Sequence, residues 1–203
     1  MTILPDLSYE KDLWQKGIKY IVGIDEVGRG SWAGPLVAAG VILPHKYKIP
    51  EGLADSKLVN ESLRRKLASS ILSDAVAVKI VEISNLQINK IGIGAATQTA
   101  FRKIIYSISP VPDFCLIDAF YIKYVAKKKQ LPIKHGDALC ASISAASIVA
   151  KVYRDDLMRK LAEKFPLYGF EKHKGYGTKT HQVAIKKNGF CQIHRTSYNL
   201  RFL

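Results

Sequence analysis

Apolar residues recur along this chain with two periods, roughly two in some stretches and three to four in others, and their alternation predicts an α/β core. Residues 19–25 have the β-branched content of a buried strand, through Ile21, Val22 and Ile24, and end on Asp25. Gly28-Arg29-Gly30 follows, and residues 36–43 predict a second strand closed by Pro44, so the two strands form a hairpin around a glycine turn. Residues 60–73 space Leu63, Leu67, Ile71 and Leu72 at helical intervals among basic residues, with Asn60 as N-cap. Residues 75–83 predict a third strand through Val76, Val78 and Ile80. A helix over 88–106 tolerates Gly92 and Gly94, and a strand over 114–117 ends on Asp118. A short strand over 132–135 leads to Gly136-Asp137. The longest helix is expected over 141–165, its first half buried because it is almost wholly small or apolar. From Gly169 the chain turns basic and turn-rich, with one more helix over 179–188.

Length and composition narrow this to one globular domain. The chain has 203 residues, 48% hydrophobic and 24% charged, which fills a single core and argues against disorder. Charge changes the picture more: 31 Lys and Arg against 17 Asp and Glu give a net +14 and a pI of about 9.7. Such a surplus favours polyanions through counterion release, although it also serves solubility and does not separate DNA, RNA and anionic membrane. No apolar run approaches the ~20 residues that span a bilayer. The first ten residues carry Pro5, Asp6 and Glu10 where a signal peptide is basic and apolar, so a cytoplasmic location is expected. Cys115, Cys140 and Cys191 are widely spaced and read as reduced thiols, and neither they nor the five scattered histidines show zinc spacing.

The candidate chemistry lies in acids placed where charge is expensive. Asp25 and Glu26 end one apolar strand, Asp118 ends another, and Asp137 follows a third. Side chains at strand ends of an open α/β sheet converge on one edge, and carboxylates gathered there repel unless cations hold them. Hard divalent ions with oxygen ligands, Mg²⁺ or Mn²⁺, answer that problem and suit phosphodiester hydrolysis. Taken singly, Asp137 can equally cap the following helix and Asp118 start a turn. Gly28-Arg29-Gly30 is explained by a hairpin turn alone, or by a backbone that approaches a ligand while Arg29 brings a cation near the acids. A dinucleotide site fails, because Pro35 and a β-rich run follow these glycines where the fingerprint must open a helix. The segment 172–179 mixes cations, Tyr176 and glycines, as a phosphate-contacting loop or a solvated basic one.

These residues, in this order, resemble the ribonuclease HII family. The matches are 24–30 followed by 33–39, Asp55-Ser56-Lys57, Ile117-Asp118-Ala119, Gly136-Asp137, 145–152 with Arg154-Asp155, 173–178 and 194–198. The resemblance implies a ribonuclease H-like mixed five-stranded sheet flanked by helices, in one domain over 1–203, with a helical C-terminal extension from about residue 170 that clamps substrate. It implies an endoribonuclease that cuts the RNA strand of RNA–DNA hybrids, and cuts 5′ to ribonucleotides embedded in duplex DNA, leaving 3′-hydroxyl and 5′-phosphate ends. Asp25, Glu26, Asp118 and Asp137 would be the catalytic acids and hold two Mg²⁺ or Mn²⁺ ions. Gly28, Arg29 and Gly30 would recognise the ribose 2′-hydroxyl, and Tyr176 would stack on the following deoxyribose. Asp155, about four turns into the long helix, is assigned a supporting role. Leu139 stands where many relatives carry Lys, which alters a phosphate contact. The expected enzyme is a monomer; the competing reading is a non-catalytic nucleic-acid-binding module of the same fold.

Overall fold

A computed structural model describes residues 4–54, 56 and 59–200. Five strands form one sheet in the order β3-β2-β1-β4-β5, comprising β1 (Ile21–Val27), β2 (Leu36–Ile42), β3 (Ala77–Ile83), β4 (Phe114–Asp118) and β5 (Gln130–Ile133). β1, β2 and β3 pair antiparallel, whereas β1 with β4 and β4 with β5 pair parallel, so the sheet is mixed, as expected. The helices are α1 (Ser8–Gln15), α2 (Glu61–Asp74), α3 (Asn85–Ser107), α4 (Gly136–Leu139), α5 (Ala141–Lys164), α6 (Phe170–His173) and α7 (Lys179–Asn188). Among the described residues, no helix is long and apolar enough to cross a membrane.

The period-two alternation of β2 sorts its side chains between two cores. Val37, Ala39 and Val41 pack with α2 and α5, while Leu36, Ala38 and Ile42 pack with α3 on the other face. On β1, Val22 and Ile24 join the α3 side. Gly23 faces α5 at such short range that a Cβ there would lie 2.2 Å from the backbone carbon of Ser142. The missing side chain is what lets the small-residue half of α5 seat directly on β1, and that half is buried from Ala141 to Ala150.

Element bounds follow local chemistry. Asn60 caps α2 by accepting a hydrogen bond from the Leu63 amide at 3.0 Å, as its position predicts. α3 starts earlier than its apolar period suggests because Ser84 caps it at the Gln87 amide, and Gly92 interrupts it with φ 76°. β5 lies two residues ahead of the expected 132–135. His135 adopts a left-handed backbone that ends extension, and buried Gln130 ties the strand's start to Ile122. Pro132 is tolerated there because β5 is an edge strand.

Candidate active site

The parallel pairing of β1 with β4 aligns Ile24 with Ile117, so Asp25 and Glu26, still paired with β2 through Ala39 and Ala38, come beside Asp118 at the end of β4. β4 pairs in turn with β5, whose end leads within four residues to Asp137 in α4. Asp25, Glu26, Asp118 and Asp137 accordingly line one cavity of about 510 Å³. Asp118 is fixed by the Gly136 amide, which donates to its Oδ1 at 2.8 Å, so it ties the β4 end to the turn carrying Asp137. Asp137 does not cap α5: the N-cap there is Cys140, with no side-chain cap.

Asp25 is 6% exposed, and burial, the Glu26 carboxylate and the Asp118 carboxylate together hold its carboxyl well above the usual range. A side-chain hydrogen bond from Ser147 and the Glu26 amide, at 2.7 Å, offset part of that rise. Ser147 reaches Asp25 because α5 sits on Gly23. The all-oxygen donor set suits a hard divalent cation, which would lift the repulsion around Asp25. Among the described residues, no three His, Cys, Asp or Glu side chains form a ready-made metal-holding group.

Gly28, Arg29, Gly30 and Tyr176 line the same cavity. Gly28 has φ 86°, and a Cβ on it would lie 2.1 Å from Arg154 Nε, so this glycine is required by packing as well as by the turn. At Gly30 a Cβ would meet nothing within 4 Å, which leaves its backbone open. Arg29 pairs with Glu26 at 3.7 Å and lies 5.1 Å from the Phe120 ring. Tyr176 is half-buried, and its loop rests on the segment after the glycine turn, where the Trp32 amide donates to Gly175 O at 2.8 Å.

Sequence reasoning left four further polar lining residues without a site role: Ser56, Arg64, Ser147 and Lys151. The signal was available for two of them, since Ser147, Lys151 and Asp155 stand four residues apart and so on one face of the long helix. Asp155 is outside the cavity lining but accepts from Lys151 Nζ at 2.6 and 2.7 Å and faces Arg64 at 3.6 Å, so it orients two of the site's cations. Arg154 beside it is fully buried and donates to Pro35 O, Ala33 O and Lys174 O, joining the Tyr176 loop to the glycine turn. Asp55 and Lys57 of the Asp55-Ser56-Lys57 motif lie outside the described residues. Leu139 packs in the apolar cluster around Ile143 and Ile21.

The family model for ribonuclease HII matches residues 22–201. The chain belongs to the ribonuclease HII family. Ribonuclease HII of Acetivibrio thermocellus is 47% identical over 195 residues, covering 96% of this chain and 75% of the relative. Membership makes the chain a hydrolase with type 2 ribonuclease H activity. The fold is shared with ribonuclease H2 from Pyrococcus horikoshii OT3 at TM-score 0.73, 24% identity, and 88% and 93% coverage. Bst-RNase HIII, solved in complex with Mn²⁺, superimposes at TM-score 0.69 with 18% identity, over 89% of this chain and 67% of that one.

Proposed function

We propose that this ribonuclease HII hydrolyses the RNA strand of RNA–DNA hybrids and cuts 5′ to single ribonucleotides in duplex DNA, as a cytoplasmic monomer. The observation carrying this reading is the convergence of four carboxylates with Gly28-Arg29-Gly30 and Tyr176 around one cavity in a chain of net charge +14. A pure binding module gains nothing from acids turned toward a polyanion, which disfavours the non-catalytic alternative. Asp25, Glu26, Asp118 and Asp137 would hold two Mg²⁺ or Mn²⁺ ions. When bound, such ions activate water and stabilise the leaving oxygen.

The chain's own residues do the positioning. Backbone groups around Gly28 and Gly30 meet the ribose 2′-hydroxyl, the group that distinguishes RNA from DNA. Tyr176 packs on the sugar that follows, and Arg64 and Lys151 place positive charge opposite the acids. Water oxygen joins the phosphorus and the bond to the 3′-oxygen breaks, so the upstream strand ends in a 3′-hydroxyl and the ribonucleotide keeps a 5′-phosphate. One domain carries all of this, with the basic part from about residue 170 clamping the duplex.

The test is a duplex containing one ribonucleotide, incubated with and without Mg²⁺ or Mn²⁺, with the cut mapped. Cleavage 5′ to the ribonucleotide, only with metal, is expected. Asp118→Asn keeps an oxygen to accept from Gly136, so its melting temperature should hold. Its cleavage should fall by more than the roughly 10- to 100-fold that loss of an outer metal-site partner brings. Unchanged turnover in that variant would remove Asp118 from the chemistry.

A further inference from the structure

Arg29 lines a second cavity, of about 640 Å³, besides the one that holds the acids, so the two meet at its side chain. The second is a groove between α3 and the loop after β4, and every charged residue lining it is a cation: Arg29, Arg102 and Lys123. Its aromatic wall is Phe120, Tyr121 and Tyr124. Each ring has a cation against it, Arg29 at Phe120, Arg102 at Tyr124 at 5.5 Å, and Lys127 at Tyr121 at 5.7 Å.

Tyr121 and Tyr124 are nevertheless 47% and 87% exposed. The loop that presents them is held in place rather than merely solvated. On one side Gln98 donates to Tyr121 O at 3.0 Å and accepts from the Lys123 amide at 2.7 Å. On the other, buried Gln130 accepts from the Ile122 amide and donates to Ile122 O and Val125 O. Ile122, between the two tyrosines, is 1% exposed and packs in the α3-side core. Tyr124 keeps a left-handed backbone, φ 67°, a conformation unfavourable for a bulky residue that persists where the surroundings enforce it.

Fixed, outward tyrosines interleaved with cations, and no acid lining the groove among the described residues, are the ingredients of a single-strand nucleic-acid platform. A duplex hides its base faces, so an aromatic wall of this kind favours unpaired nucleotides. We propose that this groove is a second nucleic-acid subsite. It takes an unpaired strand continuing from the duplex at the acid cavity, with bases stacked on Tyr121 and Tyr124 and phosphates on Arg102 and Lys123. The inference rests on the proposed activity, because it places the duplex at the acids.

The experiment compares the full chain's binding to labelled RNA–DNA duplexes in chelator, blunt or carrying a DNA tail of about ten nucleotides at one end, each end in turn. At least one tailed duplex should bind about tenfold more tightly than the blunt one. The double variant Tyr121→Ala/Tyr124→Ala should lose that gain and bind blunt duplex as before. Tyr124→Phe, which keeps a stacking ring, should retain it. If no tail improves binding, or the double variant keeps the gain, the proposal is overturned, and an acidic protein segment becomes the occupant to seek. Metal-dependent cutting of a blunt duplex with one ribonucleotide reports the proposed activity separately, so the two readings fail independently.

Discussion

Gly28 and Gly30 look equivalent in the sequence, yet their surroundings set them apart. At Gly28 both the left-handed φ and the Arg154 guanidinium, 2.1 Å from any added Cβ, oppose a side chain. Gly28→Ala should therefore lower stability by about 1–3 kcal/mol, read as an earlier urea midpoint. Gly30 has open space around a would-be Cβ, so Gly30→Ala should fold with wild-type stability; on the proposed reading it should lose cleavage, because the added methyl group would stand where the ribose is to approach. Equal loss of stability in both variants would mean that the motif is only a turn. The motif's position was legible in the sequence, but this division of labour was not, since Arg154 lies 126 residues further on from Gly28 and its path to the turn is set by the fold.

At the level of elements, strand ends carried the readable information and helix faces the hidden part. Acids closing apolar runs marked the edge where β1, β4 and the β5–α4 turn converge, because an unsupported charge at the end of a buried strand is costly. The contribution of α5 was partly obscured by its composition: small apolar residues dominate the buried half, and Lys151 looks like an ordinary helix-surface charge, although the family resemblance gave its partner Asp155 a supporting role. In the structure they form an ion pair with side chains 18% and 9% exposed. Asp155→Ala leaves Lys151 and Arg64 without that carboxylate, so a loss of roughly 3 kcal/mol is expected in chemical denaturation, as for other pairs broken inside a protein. Cleavage should also weaken, as the two cations lose their orientation. A variant as stable as wild type would reduce the pair to surface decoration. The kink at Gly92 and the early end of β5 escaped the sequence for a related reason. Both are backbone events, at φ 76° and at the left-handed His135, that periodicity does not encode.

Across the whole molecule, histidines that are scattered in sequence assemble where the C-terminal segment meets the Tyr176 loop. His173 stacks on His181 at 4.5 Å between ring centres, and His181 Nε2 lies 3.1 Å from His194 Nε2. The hydrogen bonds fix the tautomers. His194 Nδ1 accepts from the Cys191 amide at 2.8 Å, so its Nε2 carries the proton and donates to His181 Nε2. His181 Nδ1 then donates to Tyr176 O at 3.0 Å, which ties the network to the cavity wall. With His181 Nε2 committed as acceptor, protonating His181 there would set two N–H groups against each other. Burial, and the neighbouring histidines after it, push the His181 imidazole down to about 4; His173 and His194 are lowered too, chiefly by burial. The unfolded chain takes up these protons below about pH 6.5, while the native protein refuses His181's until about pH 4. Unfolded molecules thus bind more of the histidine protons across that window, and the histidine contribution to stability falls as pH drops, while Asp25, whose raised carboxyl takes its proton first in the native state, contributes with the opposite sign. Carboxylates held below their usual range, such as Asp6, Glu61 and Asp156, withdraw their contribution only at lower pH, so the first acid loss belongs to the histidines. Between pH 7.5 and 5 the wild-type urea midpoint should decline relative to that of His181→Asn, in which Asp25 titrates equally, with the His181 share on the order of 2–3 kcal/mol over its full range. Wild-type and His181→Asn midpoints that keep a constant difference between pH 6.5 and 5 would show that the imidazole accepts its proton without leaving the packed state.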